Sequence, residues 1–353
     1  MSKRFLFATL LLLLMVALVA CGGAEEAVDE PFTIGVSNGF VGSEWRTQMI
    51  QNMEQLNAEF MEQGLTTDLV IESADVDVQG QIQQIQNLIN RGVDAIIINP
   101  NDQSALNPII EEAAEQGIVV IAVDQEISAP DAINVVIDQT EWARISARWL
   151  AEKLGGEGDV VLIEGFVGHP ANEARMDGVE EVFADYPGLN VVGRETGSWD
   201  QATGQQVMSD FLASLPNMDG VWTQDGMALG ALQAIVTADP AEWPVVVGEA
   251  RAGYMHLWKE VMDNQQPDFE SIGVYNPPGV GASGMRVALE ILQGGTVDET
   301  QLAGPFGNTL YVPIPGQVTA ENFDSEYEKV ADQPASYVLD GFITQEEAAS
   351  FME

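Results

Sequence analysis

From residue 32 onward the chain alternates short runs of β-branched and aliphatic residues with longer stretches whose apolar positions recur at helical spacing. Short unbroken apolar runs mark strands buried on both faces, and the amphipathic stretches between them mark helices laid over such a sheet. Strands are predicted over 32–37, 68–72, 95–99, 119–123, 134–137, 159–163, 190–193, 220–223, 245–248 and 271–275. Helices are predicted over 44–63, 79–91, 104–116, 141–154, 172–185, 201–215, 227–238 and 281–293. The alternation predicts an α/β fold with parallel sheets covered on both sides. Ten strand–helix units exceed one comfortable sheet, so two doubly wound lobes of about 130 to 150 residues each are expected, with seams near 137–139 and 275–278.

In an open parallel sheet, ligands sit beyond the carboxyl ends of the strands. The residues there include Asn38, Asp124-Gln125, Asp138-Gln139, Gly165-Phe166, Ser198-Trp199-Asp200, Gln224-Asp225, Glu249-Ala250-Arg251 and Tyr275-Asn276. They are carboxylates, amides, aromatics and arginines. If the two lobes face one another, this set lines the gap from both sides.

Charge narrows the classes of partner. Thirteen Lys and Arg stand against 55 Asp and Glu, a formal net charge of -42. Nucleic-acid affinity is built by neutralising phosphates with clustered cations, so a nucleic-acid partner is excluded as a primary function. The acidity fits a surface adapted to salt, and equally one that is merely soluble. One cysteine and two histidines leave too few soft ligands for a zinc site or an iron–sulfur cluster, so no metal or cofactor is expected.

The single cysteine has another explanation. Lys3 and Arg4 precede a nearly unbroken apolar run over 5–20, which ends in Leu18-Val19-Ala20-Cys21. Residues 1–20 read as a signal peptide. The ending resembles the bacterial lipobox, which implies cleavage before Cys21, its lipidation, and residence outside the cytoplasm on a membrane face. Residues 21–31, rich in Gly, Ala and Glu, then form a lipidated tether.

Four segments carry a family resemblance: Ile98-Asn99-Pro100-Asn101-Asp102, Val123-Asp124, Glu173-Ala174-Arg175-Met176-Asp177-Gly178, and Gln224-Asp225-Gly226-Met227-Ala228-Leu229-Gly230-Ala231. From about Phe32 to Val312 the chain resembles periplasmic sugar-binding proteins of the ribose/galactose type, the solute-binding components of ABC importers, with the type I periplasmic binding protein fold. Gly42-Ser43-Glu44-Trp45-Arg46 also resembles the members that take furanose sugars. The resemblance implies three crossings between lobes, with 31–137 plus 278–310 in the first and 138–277 plus 311–353 in the second. It implies capture of a pentose or hexose in the interlobe cleft, no catalysis, and presentation of the closed form to a membrane permease by a monomeric receptor. Two departures argue against ribose itself: Gln125 stands where ribose binders place an arginine, and Glu249-Ala250 stands where they have Phe-Asp.

A sugar presents hydroxyls that donate and accept, and a C–H face that aromatic rings cover. Trp45 and Trp199, one from each lobe, are the candidate stacking pair. Asp124, Arg175, Asp225 and Glu249 are the candidates for the hydroxyls, supported by Asn38, Arg46, Gln125, Asn172, Arg251 and Tyr275. Structural roles compete with several of these: Asp225 and Asp138 suit helix caps, Trp199 suits lobe packing, Tyr275 suits a hinge and Arg175 suits a solvent-facing helix turn. A nucleoside, a polyol, a furanosyl signal, a sugar acid or an amino sugar fits the same residue types, and the closed form suits a chemoreceptor or sensor kinase as well as a permease.

Other signals are weaker. Gly279-Val280-Gly281-Ala282-Ser283-Gly284 matches the dinucleotide fingerprint but follows the tenth strand, whereas that fingerprint belongs to a first βα turn. Asp75-Val76-Asp77 opens like a calcium loop, yet Gln86 stands where the bidentate Glu belongs.

Overall fold

The computed structural model describes residues 30–353. The signal segment, Cys21 and all but the end of the tether lie outside the described residues. In chain order the strands are β1 (Ile34–Asn38), β2 (Val70–Ser73), β3 (Ala95–Asn99), β4 (Val119–Val123), β5 (Ala132–Val136), β6 (Glu157–Glu164), β7 (Gly188–Thr196), β8 (Gly220–Thr223), β9 (Val245–Val247), β10 (Ser271–Val274), β11 (Thr309–Tyr311) and β12 (Gln317–Val318). The helices are α1 (Glu44–Glu62), α2 (Val78–Asn90), α3 (Asn107–Glu115), α4 (Gln139–Lys153), α5 (Pro170–Ala184), α6 (Gln201–Ser214), α7 (Ala228–Ala238), α8 (Ala252–Asn264), α9 (Val280–Leu292), α10 (Phe323–Val330) and α11 (Gln345–Ala349).

The strands build two six-stranded sheets, ordered β11-β5-β4-β3-β1-β2 and β12-β10-β9-β8-β6-β7. The first sheet is wholly parallel, and in the second only β12 runs antiparallel to its neighbour. Ala95-Ile96-Ile97-Ile98 on β3 is fully buried, as a central strand covered by helices on both faces requires. Register brings the strand ends together: Asn38 pairs with Asn99 across β1 and β3, and Ile163 with Thr223 across β6 and β8. The order reverses between β1 and β3 in one lobe and between β6 and β8 in the other, so each sheet has its switch-point crevice there.

Ten strands match the sequence reading closely, while β11 and β12 add a last edge strand to each sheet. They are too short to show any period. The tail also departs from expectation. Leu339 N–H still donates to Ala250 of the second lobe (2.9 Å), but Asp340 accepts from Gly279 N–H (2.7 Å) and Asn52 (2.5 Å) of the first. Arg286 on α9 donates to Ile343 (2.6 Å), and α11 packs on α9. Ile343 N–H donates to Ser283 Oγ (3.3 Å) and Met352 bridges Val297, so the chain beyond Asp340 lies with the first lobe, and the chain crosses between lobes a fourth time. Tyr311, expected in the second lobe, pairs with Val136 in the first sheet.

The glycine fingerprint serves packing. A Cβ at Gly281 would stand 2.8 Å from Met49, and one at Gly284 would stand 2.5 Å from Val123, so small residues let α9 lie directly on α1 and β4. In the candidate calcium loop, Asp75 accepts from Val41 N–H (2.7 Å) and Asp77 caps α2 through Gly80 N–H (2.9 Å). Among the described residues no cluster of three or more His, Cys, Asp or Glu has metal-binding geometry.

Candidate functional site

On the first lobe, Asn38 closes β1 and takes the Arg46 guanidinium on Oδ1 (3.0 Å), while its amide donates to Phe40 O (3.0 Å) and Ser73 Oγ (3.0 Å). Arg46 rises from the first turn of α1, is buried, and lies over the Phe40 ring at 5.6 Å. Burial lowers its pKa, and the charge of Asp124 partly offsets that. Asp124 follows β4 with a left-handed backbone (φ +69°) and accepts from Asn99 (3.3 Å) and Gln125 (3.4 Å). Burial raises the Asp124 pKa above the usual carboxylate range, against the pull of Arg46 and of Arg175. Arg175 belongs to the other lobe, so the carboxyl lies within the field of an arginine from each side.

Arg175 on α5 organises the second lobe. Nη1 donates to Asp225 (2.6 Å) and Gln224 (3.1 Å), Nε donates to Gln139 Oε1 (2.8 Å), and the guanidinium lies 4.1 Å over the Trp142 ring. Gln224 Oε1 also accepts from Trp199 Nε1 (2.8 Å), and Gln224 Nε2 donates to Asn172 Oδ1 (2.8 Å). Asn172 Oδ1 accepts in turn from Gly165 N–H (2.8 Å). Trp199 has φ +51° and meets Phe166 (5.2 Å) and His169 (4.7 Å) edge to face. Gly165 makes room for it, since a Cβ there would come within 2.3 Å of the indole nitrogen. Asp225 takes a further bond from Asn276 Nδ2 (2.8 Å), and Asn276 O accepts from Trp45 Nε1 (2.7 Å) across the crossing after β10.

The structure thus gathers Asn38, Arg46, Asp124 and Gln125 on one lobe with Asn172, Arg175, Trp199 and Asp225 on the other. Other candidates stand apart. Trp45 is buried with its N–H committed to the crossing strand, and with Asp225, Glu249 and Arg251 it lines a void of only about 10 Å³. Glu249 caps α7, accepting from Gly226 N–H (2.5 Å) and Leu229 N–H (3.4 Å), and burial raises its pKa. The cap on α7 that competed for Asp225 is made by Glu249, and Asp225 pairs with Arg175. Asp138 does cap α4, through Glu141 N–H (2.9 Å). Arg251 joins Glu44 of the first lobe (3.2 Å) to Glu249 (3.5 Å). Tyr275 turns into the second lobe's outer core and donates to Glu326, away from the cleft.

Beside the gathered residues lies a cleft of about 670 Å³, lined by Asp124, Gln125, Gln139 and His169 among others. That volume falls in the range of about 300 to 1,000 Å³ usual for small-molecule sites. His169 precedes α5, and burial, with the charges of Arg46 and Arg175 adding to it, lowers its pKa to about 3. The ring is neutral near pH 7. Residues that sequence reasoning left out of the site are Asn99, Gln139, His169, Gln224 and Asn276. All but His169 sit at or just beyond a strand end, or open a helix after one, so the rule that found the others covers them too. Ranking charged groups above amides hid them.

Two arginines face two carboxylates here, Arg175 on Asp225 and Arg46 within the field of Asp124, and buried amides join them. Such a set is charge-balanced and rich in donors and acceptors, which suits a hydroxylated guest. Two α/β lobes that meet at the carboxyl ends of their strands around a polar cleft define the class of bilobed solute receptors.

The profile of the periplasmic binding protein domain matches residues 34–296. The chain belongs to the periplasmic binding protein family, of the ribose/galactose sugar-binding type. It is 30% identical over 279 residues to a xylitol-binding protein of Mycolicibacterium smegmatis, covering 78% of this chain and 75% of that one. It is 26% identical to a galactofuranose-binding protein of Escherichia coli, over 85% of this chain and 94% of that one. Among solved structures, an arabinose ABC transporter binding protein from Shewanella sp. ANA-3, bound to L-arabinofuranose, superposes with a TM-score of 0.71 at 28% identity, covering 85% and 96% of the two chains. An ABC transporter solute-binding protein from Thermobispora bispora superposes with a TM-score of 0.77 at 26% identity, over 90% and 94%.

Proposed function

We propose that this protein is the solute-binding lipoprotein of an ABC sugar importer, capturing a pentose, a hexose or the related polyol between its lobes. The observation that carries the reading is the buried polar set divided between the two lobes, with the Asp124 carboxyl bonded to Asn99 and Gln125 and within the field of Arg46 of one lobe and Arg175 of the other. The relatives' xylitol, galactofuranose and arabinofuranose ligands support the same chemistry. Trp199, at the edge of the set, covers the C–H face of the ring, while Asp225, Arg175, Asn172 and Gln125 take its hydroxyls. A guest touching both lobes favours the closed form, and the closed form is what the permease reads. Cys21, lipidated, holds the receptor at the outer membrane face, and no chemistry is done on the guest.

A thermal-shift screen of the mature protein against sugars, sugar acids, polyols and nucleosides tests this, because a ligand bound by the folded state raises its melting temperature by mass action. A pentose, hexose or polyol is expected to give the largest rise. A nucleoside leading the screen, or no sugar shifting the protein, contradicts the reading. Trp199→Ala should weaken the leading sugar at least about tenfold, the loss of one well-made contact.

A further inference from the structure

The segment 334–343 lies beyond residues 34–296, the part of the chain that the family profile matches, and it is bonded to both lobes at once. On the second lobe, Gly253 N–H donates to Ala335 O (3.0 Å), Ala252 N–H donates to Tyr337 O (2.8 Å), and Ala250 O accepts from Leu339 N–H (2.9 Å). The first lobe holds the same stretch from the other side. Gln48 on α1 pairs with the Val338 backbone in both directions, Nε2 donating to Val338 O (2.9 Å) and Oε1 accepting from Val338 N–H (3.0 Å). Asp340 then accepts from Gly279 N–H (2.7 Å) and Asn52 Nδ2 (2.5 Å). Val338 and Leu339 are buried, so the segment is packed between the lobes and not laid over them.

What sets this crossing apart is its lack of slack. The other crossings run through 137–138, 275–279 and 312–316, between the elements they join, and the dihedrals of such stretches absorb a rotation of one lobe against the other. Here Leu339 is bonded to the second lobe and the next residue, Asp340, to the first. Consecutive Cα atoms stand about 3.8 Å apart whatever the dihedrals do, so the lobes cannot part at this edge without breaking one of those bonds. A second tie between lobes stands beside it, Arg251 on Glu44 (3.2 Å).

We infer that 334–343 is a strap that holds the lobes together along the edge beside the crossing after β10, limits how far they open without a guest, and so raises the fraction of empty receptor that is competent to bind. The inference rests on the opening and closing of the proposed sugar receptor and adds to it what restrains that motion. Apparent affinity scales with the competent fraction, so lobes kept near one another bind more tightly than lobes left to swing.

The test is a distance measurement on the mature chain carrying Cys21→Ser, with spin labels at Gln103→Cys on the first lobe and Val167→Cys on the second. Gln103 lines the cleft, and Val167, 71% exposed, stands next to Gly168 on the opposite wall. This chain is compared with one in which Gly-Gly-Gly is inserted between Leu339 and Asp340, which leaves every bonding group of the strap in place and adds about 10 Å of reach. Without sugar, the insertion is expected to broaden the distance distribution and lengthen its mean by several ångströms. Ribose, arabinose, xylitol and myo-inositol are then titrated into both chains, and the tightest-bound of the four is expected to bind the insertion variant about three- to tenfold more weakly, while at saturation both chains reach the same short distance. Unliganded distributions that coincide, or a broadened one with unchanged affinity for that probe, overturn the inference. If none of the four shortens the distance in either chain, the receptor reading fails, and the unliganded comparison still decides whether the strap restrains the lobes. Should the insertion not fold, Asp340→Ala, which frees the strap from Gly279 and Asn52, is read by the same two criteria.

Discussion

Arg175 shows how tightly the candidate site is built into the fold. Its side chain is 3% exposed, and Asp225, Gln224, Gln139 and the Trp142 ring together satisfy its charge. Removing one member of a buried ion pair leaves the other uncompensated, at a cost of about 3 to 5 kcal/mol. Arg175→Met is therefore expected to lower the unfolding free energy in urea by about 3 kcal/mol, besides weakening ligand. A change below 1 kcal/mol, on the order of a surface pair, would show that Asp225 finds another partner. Asp124 and Trp199 carry a different cost, since both hold left-handed backbones just past strand ends, a conformation that costs non-glycine residues about 1 to 3 kcal/mol. His169 allows a test by pH. Its folded pKa of about 3 lies below the ordinary value of 6.5, so the unfolded chain binds the extra proton first and stability contributed by the neutral ring is lost as pH falls below 6.5. Wild type should therefore lose stability relative to His169→Phe by up to about 1.4 kcal/mol for each pH unit between 6.5 and 5. A difference independent of pH would mean the ring is protonated in the folded protein as readily as outside it.

Elements differ in how plainly the sequence announces them. Unbroken runs such as Ala95-Ile96-Ile97-Ile98 can only be strands buried on both faces, so ten strands and eight helices were legible. Part of the candidate site was legible because strand ends position it: Asp124, Trp199 and Asp225 follow strands, while Arg175, inside a helix, came from the resemblance. Where each side chain turns was not legible. Whether Glu249 or Asp225 caps α7 depends on a distance between two loops, and Tyr275 turns away because Glu326 waits on a helix the sequence pattern did not reveal. The tail was misplaced for a related reason. Segment 334–343 is bound by single hydrogen bonds and individual buried side chains rather than by a repeating pattern, and it passes from Ala250 on one lobe to Gly279 and Asn52 on the other. Asp340 is its pin: the carboxylate accepts from Gly279 and Gly341 N–H and from Asn52 and Gln48, and burial raises its pKa. Asp340→Ala is expected to cost about 1 to 3 kcal/mol in urea unfolding, the penalty for stranding buried donors. An unchanged midpoint would make the fourth crossing a surface ornament.

The whole molecule carries a formal charge of -42 and few internal cations to answer it. Self-repulsion at that density weakens the folded state at low ionic strength, and salt shortens the screening length from about 10 Å at 0.1 M to about 3 Å at 1 M. The melting temperature should therefore rise by several degrees between dilute buffer and 1 M NaCl. A flat or falling curve would mean that the acidic groups are spaced widely enough not to feel one another. Affinity for a neutral sugar should change far less over the same range, since its contacts are hydrogen bonds between balanced groups. The account as a whole depends on a guest held from both sides at once, and one comparison reaches that most directly. Calorimetric titration of the leading sugar into wild type, Asp124→Asn and Asp225→Asn alters one lobe at a time. Each variant is expected to bind at least about tenfold more weakly than wild type, since each loses a charge-assisted hydrogen bond. If either variant binds as tightly as wild type, the sugar is held by one lobe alone and the clamp does not exist.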